Sequence, residues 1–276
     1  MSTGSINTNT GALIALQNLN ATNRALETTQ NRVNTGMKVA NAKDNGAVFA
    51  IATNMRADVT ALDAVKTSVE RGRSIIDVAM AAGETVIEAL KEMKALAVAI
   101  EDFTPVPTAG QNPSYDAYVA DYDALAEEIT KAFAGAIFDG VNLFGTPAEM
   151  LTIRTGLQAT DVQDIGFFDD TATPATPNWT PPDLNDMTST AVQTAIEAFS
   201  TSMATLGTQS KSLDRTLVFL GKLQDSYETG IGNLVDADLA KESARLTALQ
   251  TKQQLGVQAL GIANQAPQII LSLFNR

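Results

Sequence analysis

Eight of the nine prolines fall between Pro105 and Pro182, which leaves residues 1–104 and 183–266 without one. Inside a helix, proline removes a backbone N–H and its ring clashes with the preceding turn. The two proline-free stretches therefore predict long helices on either side of an interrupted centre, and Pro267 predicts the end of the last helix. Charge divides the chain at the same places. Residues 101–186 hold 15 Asp and Glu against only Lys131 and Arg154, a balance of -13, so the rest of a chain of net charge -12 sums to +1. Ten of the 15 aromatic residues lie there too. The centre reads as a compact, exposed part of short strands and turns, and the flanks read as rods.

The flanks carry a helical period. Alternate steps of four and three from Ala12 pass through Leu16, Leu19, Asn23, Leu26, Gln30, Val33 and Met37, a coiled-coil seam with two polar interruptions. A second stripe runs through Met55, Asp58, Leu62, Val65, Val69, Gly72, Ile76 and Ala79 and continues at Val86, Met93 and Ile100. Near the other end, Leu213, Leu217, Leu220, Tyr227, Ile231 and Leu234 form one stripe. Val235, Leu239, Leu246, Leu249, Leu260 and Ala263 form another, displaced by one residue. The displacement marks a change of helix neighbour or a local break.

Both tips are poor in charge. Residues 1–36 contain only Arg24, Glu27 and Arg32, beside seven Asn and seven Thr, and residues 246–276 contain only Lys252 and Arg276. A solvated helix normally carries charge on its outer face. Either these ends fray, as termini commonly do, or they are built to be covered by other chains; the Leu seam favours the second. Two narrow stripes at opposite ends of a chain are stabilised by zipping together. The expected fold is thus mainly α, with long paired helices in a coiled-coil-like rod. Sticky, low-charge ends on such a body suit a subunit that packs heterologously into a polymer.

Several functions are excluded by composition. The chain has neither Cys nor His, so thiolate or imidazole metal sites, haem ligation and Ser/His or Cys/His nucleophiles are ruled out. The acidic balance argues against a nucleic-acid surface, and no apolar run approaches the roughly 20 residues that span a bilayer. The first ten residues have no basic or apolar region of a secretory signal peptide. Two acidic groups remain. Asp121, Asp123, Glu127 and Glu128 read as a solvated helix face, and Asp236, Asp238 and Glu242 read as a helix cap with charge pairing to Lys241 or Arg245. Neither has the glycine turn or full ligand series of a calcium loop. Gly230-Ile-Gly232 lacks a third glycine for a nucleotide loop and reads as a soft spot in a helix, while Trp179, among prolines, reads as a surface loop. No metal, cofactor or catalytic residue is expected.

At both ends the residues resemble bacterial flagellin. The resemblance rests on Ser5-Ile-Asn-Thr-Asn, Ala12-Leu-Ile-Ala-Leu-Gln-Asn-Leu-Asn, Arg32-Val-Asn-Thr-Gly-Met-Lys-Val and Ala42-Lys-Asp-Asn near the start. Asp236-Ala-Asp-Leu-Ala-Lys-Glu-Ser-Ala, Leu249-Gln-Thr-Lys-Gln-Gln-Leu-Gly and Ala263-Asn-Gln-Ala-Pro-Gln-Ile-Ile-Leu-Ser-Leu-Phe match at the finish. Phe138-Asp-Gly-Val-Asn-Leu-Phe-Gly is similar to the family's turn before its β-hairpin, and Ile153-Arg-Thr-Gly-Leu-Gln-Ala to the strand that follows. The chain is similar to the short alphaproteobacterial forms.

The resemblance implies a non-enzymatic filament subunit for swimming motility. It implies a terminal coiled-coil domain of residues 1–41 and 236–276, and a central helical rod with a small β-hairpin over 42–165 and 187–235. Residues 166–186 would be a short distal surface loop, with no large outer domains. Subunit packing is assigned to Leu16, Leu19, Leu26 and Val33, to Leu249, Leu255, Leu260 and Ile262, and to the apolar tail with Leu271, Leu273 and Phe274. The implied partners are further copies, including other flagellins, and the flagellar export chaperone, junction and cap proteins, with neither nucleic acid nor membrane. Export would use the flagellar type III apparatus without a cleaved signal peptide. Sharing the coiled ends, a hook–filament junction protein is the alternative; a flagellin with an inserted peptidase domain would need histidines the chain lacks. Flagellins read by the innate-immune receptor carry Leu-Gln-Arg-Val-Arg-Glu-Leu-Ala-Val-Gln, where this chain has Leu90-Lys-Glu-Met-Lys-Ala-Leu-Ala-Val-Ala. Glu92, Ala95 and Ala99 reverse one charge and remove two polar groups, which implies weak or absent recognition.

Overall fold

The structure is a computed structural model that describes residues 9–103, 110–145, 150–169, 176–177 and 182–274, with side chains described over 9–103, 110–145, 150–167 and 182–265. Five helices dominate: α1 (Thr10–Thr35), α2 (Gly46–Glu101), α3 (Pro113–Gly135), α4 (Ser189–Val235) and α5 (Leu239–Phe274). Three antiparallel pairs of short strands stand between α3 and α4: β1 (Ile137–Phe138) with β2 (Val141–Asn142), β3 (Leu151–Arg154) with β4 (Val162–Ile165), and β5 (Phe168–Asp169) with β6 (Thr176–Pro177). The chain divides into two compact units, one of Met1–Ala57 with Ser226–Arg276 and the other of Asp58–Asp225. No large outer domain is present among the described residues.

α3 sets a full helix in the centre, where the sequence indicated short strands and turns together with a helix face at Asp121, Asp123, Glu127 and Glu128. Asn112 caps it by accepting from the Ser114 and Tyr115 amides, and Pro113 occupies its first turn, where a missing N–H costs nothing. From there to Gly135 no further proline interrupts it. The centre's prolines thus start one helix rather than forbidding any.

In the unit of Asp58–Asp225, α2 and α4 run antiparallel at a constant register. Lys66 Nζ donates to Gln224 Oε1 at 2.7 Å, Arg73 pairs with Asp214 at 3.2 Å, Lys94 Nζ donates to Gln193 Oε1 at 2.6 Å, and Glu101 accepts from the Ser189 amide at 2.7 Å. Between these polar rungs lies the core: Leu62, Val69, Ile76, Val86, Leu90 and Met93 of α2 against Leu206, Leu213 and Leu220 of α4. The stripe read from Leu62 to Ile100 is therefore the buried one. α3 contributes Tyr122, Ile129 and Phe133. Burial first, then the charges of Asp186, Asp123 and Asp183, raise the Tyr122 phenol above its ordinary value, so it stays neutral at physiological pH.

β1 and β2 are joined by Asp139-Gly140, whose φ values of 51° and 79° are those of the tight hairpin turn that twists with its strands. Arg71 of α2 holds Asp139 at 2.5 Å. The hairpin of β3 and β4 presents Ile153 and Ile165 to α2, and Gln209 of α4 pins its end by donating to the Gly166 carbonyl at 2.9 Å and accepting from its amide at 3.1 Å. Gly72 is what lets this hairpin approach. A Cβ there would collide with Ile153 and stand 2.9 Å from Ile165 Cδ1. Gly72→Ala should cost about 1–3 kcal/mol, read as a lower urea midpoint. Gly83→Ala should cost less, because there the clash is with the flexible thioether of Met203.

Candidate assembly surface

In the unit of Met1–Ala57 and Ser226–Arg276, α1 and α5 pack side by side. Asn9 Nδ2 donates to the Ala263 carbonyl at 2.6 Å, Gln253 Nε2 to Asn23 Oδ1 at 2.8 Å, and Arg32 to Glu242 at 3.3 Å. The paired numbers sum to nearly the same value, so the helices are antiparallel in one register throughout. Gly36, left-handed at φ 70°, ends α1, and its carbonyl accepts from the Ala237 amide at 2.8 Å. The Lys38 and Val39 amides then donate to the Val235 carbonyl, and Lys38 Nζ donates to the Asn233 carbonyl, so the open end of α4 is satisfied by groups of matching polarity. The one-residue displacement between the last two stripes is the break between α4 and α5, where Asp238 caps α5 through the Lys241 amide. Gly230 is no soft spot: a Cβ there would stand 3.0 Å from Met55 Cε, within an unbroken helix.

The inward face of α1 differs from the periodic reading at three of its eight positions. Leu19, Leu26 and Val33 are half-buried as expected, but their companions are Ala15, Thr22 and Thr29, not Leu16, Asn23 and Gln30. Thr22 and Thr29 are the buried residues of α1, and Leu16 is 44% exposed. Thr22 Oγ1 donates to the Asn18 carbonyl at 2.9 Å, so its hydroxyl is satisfied within the helix and its methyl is free to pack. On α5, Leu249 and Leu260 are half-buried, whereas Leu255 is 59% and Ile262 71% exposed. The side chains of Leu271, Leu273 and Phe274 lie outside the described residues, as do Ser5 and Trp179. Glu242 pairs with Arg32 rather than with Lys241 or Arg245, a partner 210 residues away that no local spacing indicates.

α5 also continues through Pro267, against the expectation that it stops there. Proline deprives the carbonyl four residues earlier of its donor, and that carbonyl is Ala263, the one that accepts from Asn9. Asn9 does two jobs, since its Oδ1 also caps α1 by accepting from the Ala12 amide at 3.0 Å. Asn9→Ala should cost about 1–2 kcal/mol. Asn9→Asp should be similarly harmful, although Asp is ordinarily an equivalent cap, because it keeps the acceptor and loses the donor. Amide exchange along α1 measures both.

Among neutral polar residues and a few charges, the open faces of this pair carry large apolar side chains. Leu13, Ile14 and Leu16 of α1 and Leu255, Val257 and Ile262 of α5 are exposed together. A groove of about 430 Å³ runs between the helices, floored by Ile14, Ala15, Leu19, Leu255 and Ala259. A helix with apolar residues on both its packed and its open faces is built for burial. Among the described residues no helix is long and apolar enough to cross a membrane, and no group of three acidic side chains is placed to hold a metal ion.

Residues 6–147 match the bacterial flagellin N-terminal helical region, and residues 189–274 match the bacterial flagellin C-terminal helical region. The chain belongs to the bacterial flagellin family. It is 48% identical to Flagellin FljM of Caulobacter vibrioides over 277 residues, covering 99% of this chain and all of that one. It is 48% identical to Flagellin FljK of the same organism and 37% identical to a flagellin of Brucella melitensis, the latter over 98% of this chain and 99% of the relative. As a flagellin it is a structural subunit that polymerises with its own kind into the exported filament, not an enzyme. Its open apolar helix faces are those of a protein that performs its function when covered.

Proposed function

We propose that residues 1–41 and 236–276 form the inner tube of the flagellar filament, residues 42–165 and 187–235 the shell around it, and residues 166–186 its distal surface. The exposure of Leu16, Leu255 and Ile262 on an otherwise folded helix pair carries this reading, since neighbouring copies packed against such side chains relieve their contact with water. Leu19, Leu26, Val33, Leu249 and Leu260 hold the pair together and shape its outer faces, and Leu271, Leu273 and Phe274 are assigned to subunit packing on their sequence. Before assembly an export chaperone shields these residues, the flagellar type III apparatus carries the chain out without cleaving a signal peptide, and junction and cap proteins bound the growing polymer.

Seeded elongation tests this. Purified chain added to short flagellar seeds should grow long tubes in negative-stain electron microscopy. Ile262→Asp should leave the helicity of the dispersed chain unchanged and abolish growth, because Ile262 is exposed until a neighbour arrives. Unimpaired growth of that variant would remove the inner-tube assignment, and addition of a single layer by the intact chain would turn the reading to a junction protein. In a reporter-cell assay, Glu92, Ala95 and Ala99 should give weak or no signalling through the innate-immune flagellin receptor, and full-strength signalling would overturn that expectation.

A further inference from the structure

The unit of Asp58–Asp225 has an unpartnered knob and an unfilled groove of opposite charge. On α4, Val218 and Phe219 are exposed, Phe219 by 61%, and no groove of its own unit receives them. Lys211 and Arg215 stand two turns and one turn before them and Lys222 one turn after, all exposed, so the face is an apolar centre between bases. Asp214, the acid within this segment, is engaged by Arg73 at 3.2 Å. The groove, of about 440 Å³, lies between α2 and α3; Ala95, Leu96, Ala124 and Leu125 form its floor, and Glu92 and Asp121 its rim. Exposed Glu88 and Glu128 continue the acidic edge along each helix, while Lys91 lies outside the lining.

The two features cannot meet within one chain. The rungs at Lys66 and Arg73 set Val218 and Phe219 beside that stretch of α2, whereas the groove lies near Glu92 and Leu96, roughly 35 Å further along at 1.5 Å per residue. We propose that Val218 and Phe219 of one copy seat in the α2–α3 groove of a second copy, with Lys211 and Arg215 against its acidic rim. The proposal rests on the filament reading, which brings identical copies together, and it assigns one of the contacts between them. Because knob and groove are different surfaces, the contact is heterologous and propagates from copy to copy. Complementary charge sets the register, and the desolvated aromatic ring supplies the affinity.

The absence of cysteine permits a direct test. A full-length chain carrying Val218→Cys and Ala124→Cys, which keeps the Phe219 ring, grown on seeds and oxidised, should give a ladder of covalent oligomers in denaturing gels, which neither single variant nor the dispersed double variant gives. As a second measurement, Lys211→Glu with Arg215→Glu should slow elongation about tenfold, because rim charges act on the rate of association and the reversed pair repels the acidic rim. Adding Glu92→Lys and Asp121→Lys to that chain should restore it. Tubes that form without a ladder, or reversals that are not mutually compensating while the unaltered chain elongates, would overturn the pairing and leave the filament reading intact. Failure of the unaltered chain to elongate on matched seeds would overturn both.

Discussion

Phe199→Ala should destabilise the unit of Asp58–Asp225 by about 3–5 kcal/mol, the range for removing a fully buried aromatic side chain. Phe199 on α4 is 1% exposed and lies 5.6 Å from the Phe133 ring of α3 and 5.7 Å from that of Phe144, which follows β2. Phe144 in turn stacks on Phe167, beyond β4, at 5.5 Å. One side chain therefore ties α4 to α3 and to the turns leaving two hairpins, and its loss opens a cavity that rigid helices cannot close. The thermal midpoint should fall by roughly ten degrees in a unit of this size. Phe219→Ala on the same helix provides the control. That ring is exposed, and its removal should change the dispersed chain's stability by less than about 0.5 kcal/mol. Equal effects at the two positions, measured by urea or thermal unfolding of the dispersed protein, would show that the cluster is not what holds the hairpins to α4.

The second large effect is expected at a long-range ion pair between α1 and α5. Arg32 Nη1 lies 3.3 Å from Glu242 Oε1, with 30% and 11% of their side chains exposed. Arg32 Nε and Glu242 Oε2 are buried with no hydrogen-bond partner among the described residues, so the pair is only half-satisfied. Arg32→Met strands the Glu242 carboxylate in a desolvated site. Breaking a fully buried pair costs about 3–5 kcal/mol; with Arg32 still partly in water, about 2–3 kcal/mol is expected here. Glu242→Leu added to Arg32→Met removes the stranded charge, and the double variant should return to within about 1 kcal/mol of the parent. Hydrogen exchange of α1 amides in all four chains gives the coupling directly. A double variant as weak as the single one would mean that the arginine contributes through packing of its stem rather than through charge.

How much of this was legible beforehand varied with the distance over which each residue finds its partner. The buried stripe of α2 from Leu62 to Ile100 follows directly from apolar spacing, because its large side chains have nowhere else to go. The break at residues 236–238 was visible as a one-residue shift of phase. By family resemblance, residues 138–145 read as a turn before a hairpin; the structure makes the segment's start a hairpin itself, β1–β2, closed by Asp139-Gly140. By contrast, the α1 seam was misread wherever polarity stood in for burial. Thr22 and Thr29 pack inward because a helix carbonyl can satisfy a threonine hydroxyl, as it does for Thr22, while Leu16 was assigned inward and is exposed. α3 was legible only as the acidic helix face of Asp121, Asp123, Glu127 and Glu128, and its start was not, because proline in the first turn of a helix looks, in a list of prolines, the same as proline that breaks one.

By itself, the sequence determined that the chain is mainly helical, that its two ends are paired and low in charge, that it contains no histidine or cysteine chemistry, and that it resembles flagellin. Those properties depend on composition, periodicity and local motifs. Only the tertiary structure decided that Glu242 meets Arg32, that Asn9 supplies the donor Pro267 withholds, and which apolar residues are left in water. Each of these depends on the register of helices brought together from opposite ends of the chain. Register is set by the sum of many side-chain contacts, and no single spacing in the sequence records it.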